Sequence, residues 1–92
     1  AHAFLQAGAR SLLVSLWEVE DEATSLLMRR FYENWRGKYE GERAEYVGGP
    51  MPKAEALREA KLWLRDYTDK SGRQPYKHPF FWSAFILIGD PR

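Results

Sequence analysis

Few side chains in this chain are suited to bond-making. Histidine occurs only at His2 and His78, and there is no cysteine. His78 stands in Lys77-His78-Pro79, just ahead of an apolar run. As a general base it would need a nucleophile within hydrogen-bond reach, and no thiol exists to pair with it. Local hydrogen bonding at a proline-stiffened strand entry is the plainer reading, and His2 has still less to recommend it. Ser11, Ser15 and Ser83 lie inside strand-like runs and read as small packing residues. Two histidines and scattered carboxylates give no metal-ligand spacing, and Gly48-Gly49 lacks the lysine and strand context of a phosphate loop. The sequence therefore offers no catalytic residue, no metal site and no cofactor site.

The sharpest cluster is Trp17-Glu18-Val19-Glu20-Asp21. It follows the apolar run Ser11-Leu12-Leu13-Val14-Ser15-Leu16, so aromatic and acidic side chains sit at the carboxyl end of a strand. Open α/β sheets build binding sites at that place. Trp17 is either core or pocket wall. Glu18 and Glu20 either form an acidic rim, able to pair with a basic side chain, or are simply solvated. Asp21 is suited to cap the following helix.

The positioning elements follow from periodicity. A first strand is expected over Arg10 to Trp17, apolar without polar alternation, as in a parallel sheet covered on both faces. A helix from Asp21 to about Arg36 carries Ala23, Leu27, Phe31 and Trp35 on one face, with Arg29, Arg30 and Glu33 toward water. Gly37 ends it. Residues 38–51 read as a polar loop insertion, solvated and long for a compact domain. Pro52 suits the first position of a second helix, with Leu57, Ala60, Leu64 and Tyr67 as its apolar face. A second strand is expected over Phe80 to Gly89. Ala1 to Gly8 reads as the second half of a helix closed by Gly8, which suggests a chain cut from a longer one.

Composition sets the limits. Ninety-two residues with 45% hydrophobic and 29% charged residues form one small globular domain at most. A net charge of +1 offers no basic stripe for nucleic acid. No apolar run reaches the ~18 residues of a membrane span, and no secretory signal is visible. A reducing, cytoplasmic setting fits the cysteine-free composition. Two strands alone would leave apolar edges and faces unpaired. The expected partner is therefore more sheet, from the same parent protein or from a second copy.

Five segments together carry a family resemblance. They are Ala3-Phe4-Leu5-Gln6-Ala7-Gly8-Ala9-Arg10; Ser15-Leu16-Trp17-Glu18-Val19-Glu20-Asp21-Glu22-Ala23-Thr24; Leu27-Met28-Arg29-Arg30-Phe31-Tyr32; Ala54-Glu55-Ala56-Leu57-Arg58-Glu59-Ala60; and His78-Pro79-Phe80-Phe81-Trp82-Ser83-Ala84-Phe85, closing on Ile88-Gly89-Asp90-Pro91. In this order they resemble the C-terminal part of a CHAT domain, a caspase-like cysteine peptidase family often found behind tetratricopeptide repeats in bacteria. The resemblance covers nearly the whole chain except Lys38 to Met51. It implies an α/β fold: the C-terminal portion of a three-layer caspase-like sandwich with a mainly parallel sheet, incomplete alone. It implies a His-Cys endopeptidase whose dyad precedes these residues, since no cysteine is present. By position it assigns Trp17, Glu18, Val19, Glu20 and Asp21 to the wall of a peptide-binding cleft, where Glu20 or Asp21 would favour a basic substrate residue. A catalytically dead scaffold that binds a protein partner is the alternative.

Overall fold

The computed structural model describes residues 4–43 and 46–92. Ala1, His2, Ala3, Ala44 and Glu45 lie outside the described residues, and with them His2 and the first residues of the expected half-helix.

Among the described residues eight elements follow one another: β1 (Phe4–Gln6), β2 (Ser11–Ser15), α1 (Asp21–Arg36), β3 (Glu42–Arg43), β4 (Tyr46–Val47), α2 (Lys53–Arg65), α3 (Pro79–Trp82) and β5 (Phe85–Gly89). β1, β2 and β5 form one sheet in that order, and β3 and β4 form a separate hairpin. Leu5 pairs with Leu13, and Leu13 with Leu87, so three leucines cross the sheet in one row.

The mainly parallel, three-layer arrangement expected from the sequence is not what forms. Both ladders of the sheet are antiparallel. The Cα envelope measures 36 × 32 × 15 Å, the depth of one sheet and one helix layer. The physical reason lies in β2. An unbroken apolar run reports two apolar faces, and it says nothing about strand direction. Leu13 faces the helices and is fully buried, while Leu12 on the other face is 40% exposed and its neighbour Ile88 is 51% exposed.

The start of the chain is a second correction. Residues 4–6 are a strand, not the end of a helix. Gly8 does take a positive φ of 87°, as a helix C-cap would require, but it uses that freedom inside the turn joining β1 to β2. The Ala7 N–H donates to the Ser11 carbonyl at 2.9 Å and closes that turn.

α1 and α2 form as their apolar spacing dictates. Ala23, Leu27 and Phe31 of α1 meet Ala56, Leu57, Ala60 and Leu64 of α2 in one core with Leu13 and Phe85. Each fully buried Leu or Phe contributes about 1.5–3 kcal/mol of transfer free energy. Trp35 is only half-buried, and Asn34 takes the fully buried place beside it. Glu20 occupies the N-cap position of α1 without a side-chain cap bond, so Asp21 is the first helical residue rather than the cap. Gly37 ends the helix in the left-handed region at φ 72°. A Cβ there would stand 2.6 Å from the Pro50 nitrogen, so glycine also lets the returning chain cross close by.

Most of the described residues after Gly37 are exposed, as a solvated loop would be, but Arg43 and Met51 anchor the segment to α1. The Arg43 guanidinium donates to Asn34 Oδ1 at 2.7 Å and lies 4.5 Å over the Tyr39 ring. Asn34 Nδ2 donates to the Ala56 carbonyl and to Glu59 Oε1 at 3.1 and 2.9 Å. Arg30, expected to face water, instead holds Glu59 through two bonds of 2.8 and 2.6 Å. Burial opposes ionisation of Glu59, but the bonds from Arg30 and Asn34 outweigh it and hold the carboxyl below its ordinary range. One buried asparagine thus ties α1, α2 and β3 together.

The expected strand from Phe80 divides in two. Pro79–Trp82 is a short helix, with the His78 side chain accepting from the Phe80 N–H at its N-cap. The strand itself is Phe85–Gly89. Proline at the first helical position explains the division, because its fixed φ favours a helical start.

Candidate functional site

The segment between β2 and α1 builds the candidate site. The Leu16 N–H donates to the Ala84 carbonyl at 2.8 Å, which carries the β2–β5 pairing past the end of both strands. This fixes the direction in which the chain leaves the sheet. The Leu16 side chain is 49% exposed.

Trp17 comes next and is clamped from α3. Its indole Nε1–H donates to the Phe80 carbonyl at 3.0 Å, and the two rings lie 6.0 Å apart at 36°. The Trp17 ring is half-buried against the core, and Phe80 is 46% exposed. Trp17 and Phe80 thus make an apolar rim at one end of the sheet, with the exposed Leu16 preceding it in the chain. Glu18 is exposed beside it and makes no hydrogen bond among the described residues.

The other members of the predicted cluster point elsewhere. Val19 is buried in the core at 8% exposure. Its carbonyl accepts from Thr24 Oγ1 at 3.4 Å. Glu20 accepts from the Tyr76 hydroxyl at 2.5 Å, so its carboxylate is held by the fold. Burial of Tyr76, and then its bond to Glu20, push the phenol well above its ordinary range. Tyr76 stacks on Tyr67 and packs against Phe81, which fixes the hydroxyl in place. Asp21 is exposed in the first turn of α1, where the helix dipole favours negative charge.

The rim therefore contains Trp17 and Glu18 with Asp21 nearby, while Val19 and Glu20 support it from behind. Phe80, Leu16 and Tyr76 are members that sequence reasoning missed. The His78-Pro79 pair was the available signal for Phe80, since it marks a helix start that lifts Phe80 out of the strand. Tyr76 carried no such signal, because its partner lies 56 positions away.

Ser11 and Ser15 are buried in β2, and Ser11 Oγ donates to the Asp90 carbonyl. Ser83 Oγ donates to the Pro79 carbonyl. His78 Nδ1 accepts from the Phe80 N–H. Among the described residues no group of three or more His, Cys, Asp or Glu side chains could hold a metal ion. No helix among them is long and apolar enough to cross a membrane.

No curated protein and no solved structure shows significant similarity to the chain. A family model does: the CHAT domain matches residues 1–90. With nearly all of its length matched, the chain belongs to the CHAT domain family.

Proposed function

We propose that these residues serve a CHAT-type cysteine endopeptidase as a peptide-binding wall, with the His-Cys dyad supplied by polypeptide outside them. The observation that carries this reading is the half-buried Trp17 beneath an exposed Phe80, with Leu16 and Glu18 also exposed where β2 ends, in a family member that has no cysteine. An extended substrate would lay an apolar side chain against Trp17 and Phe80. A basic residue would meet Glu18 and Asp21 by charge-assisted hydrogen bonds. Glu20, held by Tyr76, would shape the rim without touching substrate.

The uncovered sheet face supports the same reading. Leu12 and Ile88 on that face are half-exposed, and β1 and β5 are free sheet edges among the described residues. Apolar faces of this kind require cover. In this reading the cover is the remainder of the parent CHAT domain, which also brings a base to deprotonate the thiol and donors for the oxyanion. The cytoplasm is the fitting location, because a catalytic thiolate stays reduced there.

Thiol alkylation tests the proposal. The parent protein should cleave peptide reporters with a basic residue next to the cut, and iodoacetamide should abolish that activity. Turnover that survives complete alkylation would rule out a cysteine peptidase. Tight partner binding without any turnover would favour the scaffold reading.

A further inference from the structure

A second concave surface lies between α2 and α3 and shares no lining residue with the rim. Ala54, Leu57, Arg58, Lys61, Leu62 and Trp82 enclose about 280 Å³. Leu57 is 6% exposed and forms an apolar floor. Trp82 forms a fixed wall, because its indole Nε1–H donates to the Lys77 carbonyl at 3.2 Å.

The polar part of the lining is unbalanced. Arg58 and Lys61 stand three positions apart on α2, so they share one side of the helix. No carboxylate lines the groove with them. The ion pairs among the described residues are Arg30–Glu59, Arg43–Glu33, Arg65–Asp66 and Arg92–Asp90. Neither Arg58 nor Lys61 belongs to one, and Glu59, the acidic residue next to Arg58, is committed to Arg30. Lys61 is partly withdrawn from water, and that desolvation lowers its amine below the ordinary lysine range. An unpaired cation above an apolar floor is costly when left alone and favourable when a carboxylate reaches it.

We propose that the α2–α3 groove docks an acidic and apolar segment of a protein partner, one apolar side chain against Leu57 and Trp82 and one carboxylate between Arg58 and Lys61. The volume falls just below the range of small-molecule pockets, ~300–1,000 Å³, and suits one or two side chains. Two cations over an apolar floor do not make the basic stripe that nucleic acid needs. A second copy seated groove to groove would bring both cation pairs face to face, which like-charge repulsion opposes.

The test uses the parent protein, in which the apolar sheet face is covered, and a fluorescein-labelled peptide of alternating glutamate and leucine. The reference peptide has lysine in place of every glutamate. Anisotropy should show saturable binding of the glutamate peptide, with amide and indole NMR shifts centred on Arg58, Lys61 and Trp82. The R58E/K61E variant should weaken that binding by at least about tenfold, the scale of one lost charge-assisted contact, and should come to prefer the lysine peptide. If that variant loses its dispersed spectrum, R58Q/K61Q carries the same expectation of weaker binding. Equal binding of both peptides, or unchanged affinity in the variants, would overturn the proposal. So would sedimentation showing self-association that R58E/K61E abolishes, since that assigns the groove to a second copy. Shifts centred on Trp17 and Phe80 would overturn the groove while leaving the peptide-binding rim intact.

Discussion

Tyr76 and Glu20 lie 56 positions apart in sequence, and their side chains meet in a hydrogen bond of 2.5 Å. That bond fastens the turn-rich segment after α2 to the head of α1, directly behind the Trp17 rim. Tyr76→Phe keeps the ring stacking and removes only the donor, so Glu20 is left unpaired. Glu20 is exposed, so water takes part of the phenol's place and the bond is worth about 0.5–1.5 kcal/mol. Urea denaturation should show a loss of about that size, and amide exchange should quicken over the first turn of α1. An unchanged midpoint would mean that water replaces the phenol at no cost.

Glu59 should give the fold a specific acid sensitivity. Its folded-state pKa lies below the ordinary 4.5. On acidification the unfolded chain therefore takes up this proton first. The stabilisation is fully present above about 4.5 and is lost as pH falls through the folded value. Glu59→Gln should remove this component, so the stability difference between wild type and variant should narrow below that pH. A difference that stays constant from neutral to acidic pH would contradict the assignment.

Glycine is required at Gly89 in β5, as at Gly37, and merely convenient at Gly72. A Cβ on Gly89 would stand 2.0 Å from the Arg10 carbonyl oxygen, at a φ of 106°. Gly72 has a φ of 85° but open space around it. Gly89→Ala should therefore cost more than about 2 kcal/mol through strain and lost pairing. Gly72→Ala should cost about 1 kcal/mol, the left-handed penalty alone. Thermal melts of the two variants check the order, and equal costs would contradict it.

The helices were legible because a spacing of three and four encodes a buried face directly. Ala23, Leu27 and Phe31, and Ala56, Leu57, Ala60 and Leu64, lie where that spacing puts them. Strand direction was not legible. Ser11 to Leu16 is apolar on both faces, and only the antiparallel pairing with Gly89 to Phe85 reveals its direction. β1 was missed because so short a strand owes its existence to its neighbour rather than to its own propensity. The candidate site was half legible. Its place at the end of β2 could be read, but whether Trp17 is core or surface could not, and the structure leaves its ring half-buried. The capture of Glu20 depends on Tyr76, far along the chain. Likewise the buried role of Asn34 depends on Arg43 and Glu59 arriving from other elements.

The central claim is that Trp17 faces substrate. The most direct measurement is kcat/KM and Tm for Trp17→Ala in the parent protein. The account predicts a fall in kcat/KM of at least about tenfold, on the scale of lost transition-state binding, with kcat affected less than KM. Because the ring is half-buried, the melting temperature of the larger parent domain should fall by no more than about 2–4 °C, equivalent to ~1 kcal/mol in a domain of about 150–250 residues. A large drop in Tm with undiminished kcat/KM in the protein that remains folded would make Trp17 a core residue and contradict the account.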